Sequence, residues 1–350
     1  MRPPTSRHTS RHTGPPGAEA MFSMAPVAPP PWRRAMVTAG AGFLGSHLCE
    51  RLLDAGVEVD CVDDLPLAAA PDVAHLAEYP RFRHLERNLA RPGTPDALPG
   101  PYDLVLHLAC LASAAASRQR PLDALDAASL GTRNALAVAG RDGARFLLAS
   151  TCHAEGAPAP PGTHDESRRF AETLTTAFVS AEEADAGIVR VFPAYGPRMG
   201  PADGLMIPEL IRQALDGEPL TVPGDGSLAP SLAYVDDTVD GVLLVAASRS
   251  VRPVDIGGDD GTTVAEIARK VLALTGSDAP LRYTGTDVPE PPRPLTGFAH
   301  ELFGWTPRTD WDDGLKRTIA DLVDRRAARR VDGHRGVPGS AGGTRHTCSW

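Results

Sequence analysis

The sequence predicts an α/β protein, a doubly wound parallel sheet followed by a smaller C-terminal α/β lobe. Three observations carry this expectation. Residues 36–65, MVTAGAGFLGSHLCERLLDAGVEVDCVDDL, read as strand, glycine turn, helix, strand and terminal acid in one piece. Stretches with strand and helix patterns then alternate to about residue 200. Beyond that point the order loosens into short pieces separated by Gly and Pro, as in a second lobe set over the carboxyl ends of the strands, where such sheets bind ligands.

The apolar run 35–38 fits a short buried strand, and Gly40, Gly42 and Gly45 permit a tight turn that brings backbone close to a pyrophosphate. A helix opening near Phe43 and Leu44 aims free N–H groups and a positive dipole end at that phosphate. Leu44, Leu48, Leu52 and Leu53 recur at helical spacing, so one face of the helix packs on the sheet. Residues 57–62 form the second strand, and Asp63 closes it eighteen positions after Gly45. An acid there accepts hydrogen bonds from an adenosine ribose and favours NAD over NADP, whose 2′-phosphate meets like charge. The stretch is thus a Rossmann-like dinucleotide pocket. Further strands are expected at 103–108, 145–150 and 188–192, and a long helix at 121–139. Later helices are expected at 206–216, 236–248, 263–275 and 312–327. The organisation that follows is a disordered arm over 1–33, an NAD-binding domain over 34–200, a substrate lobe over 201–330 that exchanges a strand with it, and a disordered tail over 331–350.

With 350 residues, 42% of them hydrophobic, the chain can bury a large core. A net charge of −9 argues against nucleic-acid and anionic-membrane partners. No apolar run approaches the roughly 20 residues that span a bilayer, so a soluble, cytoplasmic protein is expected. Five cysteines, at 49, 61, 110, 152 and 348, form no CxxC pair and fit reduced thiols better than disulfides or a zinc site. The histidines suggest no metal centre either.

Other segments are as distinctive as the glycine turn: HLACLAS at 107–113, LLASTC at 147–152, YGPRM at 195–199, GEPLTVPGDGS at 217–227 and GWTP at 304–307. Over residues 35–327 the chain resembles the extended short-chain dehydrogenase/reductases, the NAD-dependent epimerase/dehydratase family. It is most similar to the UDP-glucuronate decarboxylase branch, with dTDP-glucose 4,6-dehydratases next. The resemblance implies a resident NAD that removes a hydride from a sugar carbon and later returns it. It also implies an activated, nucleotide-linked sugar as partner and a homodimer formed through the long helix and the next one. The cofactor set it implies is Gly40, Gly42, Phe43, Leu44, Gly45, Asp63, Asn88, Leu108, Ala109 and Arg168.

The chain departs from the family in the part that does the chemistry. The family fingerprint TGxxGxxG has Ala39 at its first glycine, where a methyl group crowds the turn. The branch uses a Tyr-x-x-x-Lys pair in which the ammonium lowers the tyrosine pKa. Laying SRRFAET (167–173) on the family's GKRVAET places His164 at the tyrosine and Arg168 at the lysine. The only lysines are Lys270 and Lys316, so no small register shift restores the pair. His153 stands at a glutamate, Pro193 at a substrate-side asparagine, Pro230 at a diphosphate-clamping arginine, Ala128 at a structural asparagine and Asn88 at an acid near adenine. Thr151, Asp63 and Tyr195–Arg198 are retained.

Three readings of the altered centre are open on sequence. In the first, Thr151 orients the reacting hydroxyl, His164 acts as general acid and base near neutrality, and Arg168 holds the nicotinamide ribose, with Cys152, His153 and Arg198 on the substrate side. In the second, the chain is a catalytically silent NAD-binding paralogue acting as partner or regulator. In the third, non-redox chemistry uses Cys152 and His153, but neighbours on a strand point to opposite faces, and Cys152 reads as a plain replacement for serine.

Overall fold

The computed structural model describes residues 31–108, 114–152, 162–200, 205–250, 252–285 and 292–333. The expected terminal tails fall almost wholly outside these residues, as do Ala109 and His153. The first half of the chain runs β1 (Arg34–Thr38), α1 (Phe43–Asp54), β2 (Glu58–Asp63), β3 (Phe82–Glu86), α2 (Thr94–Ala97) and β4 (Leu104–His107). It continues through α3 (Ala114–Gln119), α4 (Pro121–Asp126), α5 (Thr132–Asp142), β5 (Arg145–Thr151), α6 (Thr163–Glu182), β6 (Ala186–Val191) and β7 (Ala194–Tyr195). The second half adds α7 (Met206–Asp216), β8 (Leu220–Val222), β9 (Ala233–Tyr234), α8 (Val235–Ala247), β10 (Val254–Ile256), α9 (Val264–Thr275), β11 (Leu281–Tyr283), α10 (Thr296–Phe303) and α11 (Trp311–Gly333).

Seven strands form one sheet in the order β10-β6-β5-β4-β1-β2-β3, and every pairing is parallel. The order reverses between β1 and β4, which opens the crevice where a doubly wound sheet takes its ligand. β10 comes from the second half of the chain and pairs with β6 of the first half. β8 and β11 make a small parallel pair, and β7 and β9 another. The helix expected over 121–139 is α4 joined to α5 by a wider π turn at Ala127–Gly131; it runs on to Asp142, where Gly143 in the left-handed region ends it. α11 is longer than expected and enters the segment read as a tail.

The two faces of the sheet bury separate cores, one with α1, α7, α8 and α9, the other with α5 and α6. Leu48, Leu52 and Leu53 of α1 are buried as their spacing predicts. The stripe on the α4–α5 helix divides instead: Leu136 is in the core, whereas Leu122, Leu125 and Leu130 are exposed.

Two buried polar clusters hold the sheet. At the start of the strands, Asp60 of β2 is 1% exposed and accepts from Arg34 of β1 at 2.8 Å, from Arg83 of β3 at 2.7 and 3.0 Å, and from the Tyr102 hydroxyl at 2.6 Å. Removing Asp60 itself would leave Arg34 and the Tyr102 hydroxyl without their shared acceptor, at a cost of about 3 kcal/mol or more. At the other end, His107 of β4 is fully buried, with Nδ1 2.9 Å from Thr38 Oγ1 of β1 and Nε2 3.1 Å from Thr132 Oγ1 of α5. Burial, and then the nearby Arg168 charge, push its pKa down from 6.5 to about 3. As pH falls below 6.5 the unfolded chain therefore takes up a proton that the folded chain refuses until about pH 3, so this histidine withdraws stability over that window. Denaturation midpoints should fall with acidification from pH 6.5, and His107→Asn should flatten that decline.

Candidate active site

The cofactor half is built by the turn between β1 and α1. A Cβ on Gly45 would lie 2.5 Å from the Ala39 carbonyl oxygen and 2.7 Å from Gly40 Cα, so only glycine lets the first turn of α1 close on the loop. One on Gly40 would lie 2.7 Å from Cys61 Sγ and 2.9 Å from the Val37 carbonyl oxygen. Gly42 differs: it is exposed, and a Cβ there would meet only the Ala39 oxygen at 3.4 Å. Its missing side chain leaves the backbone open to a pyrophosphate, beside the start of α1 at Phe43 and Leu44. Ala39 adopts φ 49°, a left-handed conformation that costs a non-glycine residue about 1 kcal/mol. That is the physical meaning of a glycine at this place in the fingerprint.

Asp63 is half-buried at the end of β2, where Ala41 N–H donates to one of its oxygens and Leu65 N–H to the other, both at 3.1 Å. Burial raises its pKa, against the pull of these two donors. Asn88 follows β3 and donates to Asp64 at 3.2 Å, so the amide and a second acid are linked beside Asp63. Leu108 N–H donates to Thr38 Oγ1 at 3.1 Å, which fixes the backbone leaving β4. These residues fit a dinucleotide: open backbone at the helix start, an acid at the ribose position, and the crevice between β1 and β4.

The residues expected to do the chemistry lie where β5 ends and α6 begins. Arg168 Nη1 donates to the Ala149 carbonyl at 2.9 Å, which turns this face of α6 to β5. Its Nε is buried with no hydrogen-bond partner among the described residues, and so is Ser150 Oγ. His164 precedes Arg168 by four positions, so it lies on the same helix face one turn nearer the end of β5. Nδ1 of His164 is 3.2 Å from Asp165 Oδ1, and their side chains are only 15% and 20% exposed. Sequence reasoning missed Asp165; an acid in the first turn of a helix reads ordinarily as a dipole partner. Thr151 is half-buried, with Oγ1 3.8 Å from Cys152 Sγ. Burial pushes the Cys152 thiol up to about 11, which leaves it protonated at neutral pH and a poor nucleophile.

On the substrate side, Pro193 and Pro230 precede β7 and β9, and Ala233 N–H donates to the Pro193 carbonyl at 3.1 Å. The two prolines thus stand before paired strands of one ribbon. Arg198 is placed at φ 72° with its guanidinium against α1, donating to Ser46 Oγ at 3.3 Å and ion-pairing with Glu50. Its N–H donates to Asp321 at 2.8 Å, so this residue joins α1 to α11.

The chain is similar to known proteins in sequence and in fold. UDP-glucuronic acid decarboxylase 1 of Xenopus tropicalis is 32% identical over 305 residues, covering 82% of this chain and 71% of that protein. UDP-glucuronic acid decarboxylase 4 of Arabidopsis thaliana is 33% identical over 310 residues, covering 83% and 69%. In fold, the chain is similar to a solved UDP-glucuronic acid 4-epimerase from Bacillus cereus in complex with UDP-glucuronic acid and NAD, with a TM-score of 0.74 at 22% identity over 83% of this chain and 99% of that one. The NAD dependent epimerase/dehydratase family matches residues 35–257, and with the glycine turn, the terminal acid and the β1/β4 crevice all in place, the chain belongs to that family.

Proposed function

We propose that the chain is an NAD-dependent enzyme acting on a nucleotide-linked sugar, of the UDP-glucuronate decarboxylase type, with His164 and Arg168 in place of the usual tyrosine and lysine. The observation that carries this is the Arg168 hydrogen bond to the Ala149 carbonyl, which sets both residues on the helix face that meets the end of β5. Bound NAD supplies the chemistry of taking a hydride from a sugar carbon and giving it back. Gly40, Gly42, Phe43, Leu44, Gly45, Asp63, Asn88 and Leu108 hold it, and the Arg168 Nε, without a partner among the described residues, offers a donor to its nicotinamide ribose. Thr151 orients the reacting hydroxyl and His164 moves its proton. The proline replacements at 193 and 230 weaken the expected clamp on the nucleotide, and they favour a second reading, an NAD-binding paralogue without turnover.

Leu122 and Leu125 of α4 and Phe170 of the adjacent α6 are exposed large apolar side chains, which supports a homodimer through these helices. The buried free thiols Cys49, Cys61 and Cys152 support a reducing, cytoplasmic setting. Among the described residues, no helix is long and apolar enough to cross a membrane.

Three outcomes are expected. Protein incubated with NAD and UDP-glucuronate should convert the sugar, and His164→Ala should lower kcat about 100-fold or more without loss of NAD; retention of NAD with no conversion by the wild-type protein would support the silent paralogue. Gly45→Val should abolish NAD binding in calorimetry, whereas Ala39→Gly should raise stability by about 1 kcal/mol through relief of the left-handed alanine. Leu122→Glu with Phe170→Glu should give a monomer in analytical ultracentrifugation where the wild type sediments as a dimer.

A further inference from the structure

We infer that Asp165 is a positioning residue that orients His164 and fixes which ring nitrogen carries the proton. This rests on the proton-transfer role proposed for His164. Neighbours on a helix point about 100° apart, so contact between adjacent side chains does not follow from helical geometry and needs both rotamers to be set. Here Nδ1, the ring nitrogen nearer the backbone, meets Asp165 Oδ1 at 3.2 Å. The backbone beneath them is pinned, because the N–H groups of Asp165 and Glu166 both donate to the Gly162 carbonyl at 3.1 Å and Ser167 Oγ donates to the His164 carbonyl at 2.7 Å. Glu166 also lies in this first turn and pairs with Arg169 at 2.8 Å, so the helix dipole already has an acid apart from Asp165.

The consequence is chemical. A carboxylate oxygen only accepts, so Nδ1 must carry the hydrogen and the lone pair falls on Nε2. In the forward step the substrate O–H bond breaks, its electron pair stays on oxygen, and the proton forms a new bond to Nε2. The imidazolium that results lies one helical turn from the Arg168 guanidinium, a cation that disfavours it. Asp165 offsets that charge. In a tyrosine–lysine pair the cation helps the base by stabilising a phenolate; beside an imidazole the same cation opposes protonation, and a carboxylate is what the exchange requires.

The test is nitrogen-15 NMR of the full chain with labelled histidine, loaded with NAD, at a pH where the imidazoles are neutral. The His164 signal is identified by its loss in His164→Ala. Wild type and Asp165→Asn, whose amide oxygen still accepts, should show the Nδ1–H tautomer, and Asp165→Ala should revert to Nε2–H. In turnover, Asp165→Ala should lower kcat about 100-fold with KM little changed, and Asp165→Asn should recover part of it. The same tautomer in wild type and Asp165→Ala would overturn the inference even if His164 proves essential. A tautomer change with turnover indifferent to His164 would instead uphold the orientation and remove the proton-transfer role.

Discussion

The close approach of Gly45 to the β1 turn is the contact on which the remaining architecture rests. Because α1 can sit directly on the Ala39 carbonyl, its inward face brings Cys49 beside Cys61 under Gly40, and its outward face becomes a platform for the second half of the chain. His47 Nε2 donates to the Pro197 carbonyl at 3.0 Å, Arg198 reaches Ser46 and Glu50, and Arg51 pairs with Asp236 at 3.7 Å and with Asp240. Asp321 of α11 then takes the Arg198 N–H. One steric requirement at a glycine is thereby passed through α1 to α8 and α11.

The chemical half obeys a different logic. Arg168 is a fixed cation whose fork donates to the Ala149 carbonyl, with its buried Nε unpartnered among the described residues. Burial, together with the same charge, keeps His107 neutral behind the crevice, so its imidazole does not compete for protons. His164 and Asp165 are less buried and meet in the first turn of α6.

Much of this was legible from residue order. The turn glycines, the acid at Asp63 and the strands at β1, β2, β4 and β5 announce themselves because buried parallel strands are apolar runs. The end of helix 206–216 was readable because Gly217, in the left-handed region, stops it. β3, FRHLE, was not, since an edge strand with an uneven burial pattern carries little apolar periodicity. β10 has three residues and exists because β6 pairs with it from far along the chain. Asp60 reads as one acid among several in EVDCVD, and its burial depends on Arg34, Arg83 and Tyr102, partners spread over three separate segments. Asp165 needed coordinates, because sequence neighbours on a helix do not ordinarily touch. The placement of Arg198 against α1 depended likewise on a residue 148 positions away.

The Asp60 cluster also bears on how such a chain can diverge. It knots the beginnings of β1, β2 and β3 at the end of the sheet remote from the crevice, with components that owe nothing to substrate or to proton transfer. Foldability is thereby insulated from the reactive rim. Residues at the crevice can be exchanged while the scaffold holds its shape, which leaves the rim free to drift toward new chemistry or none.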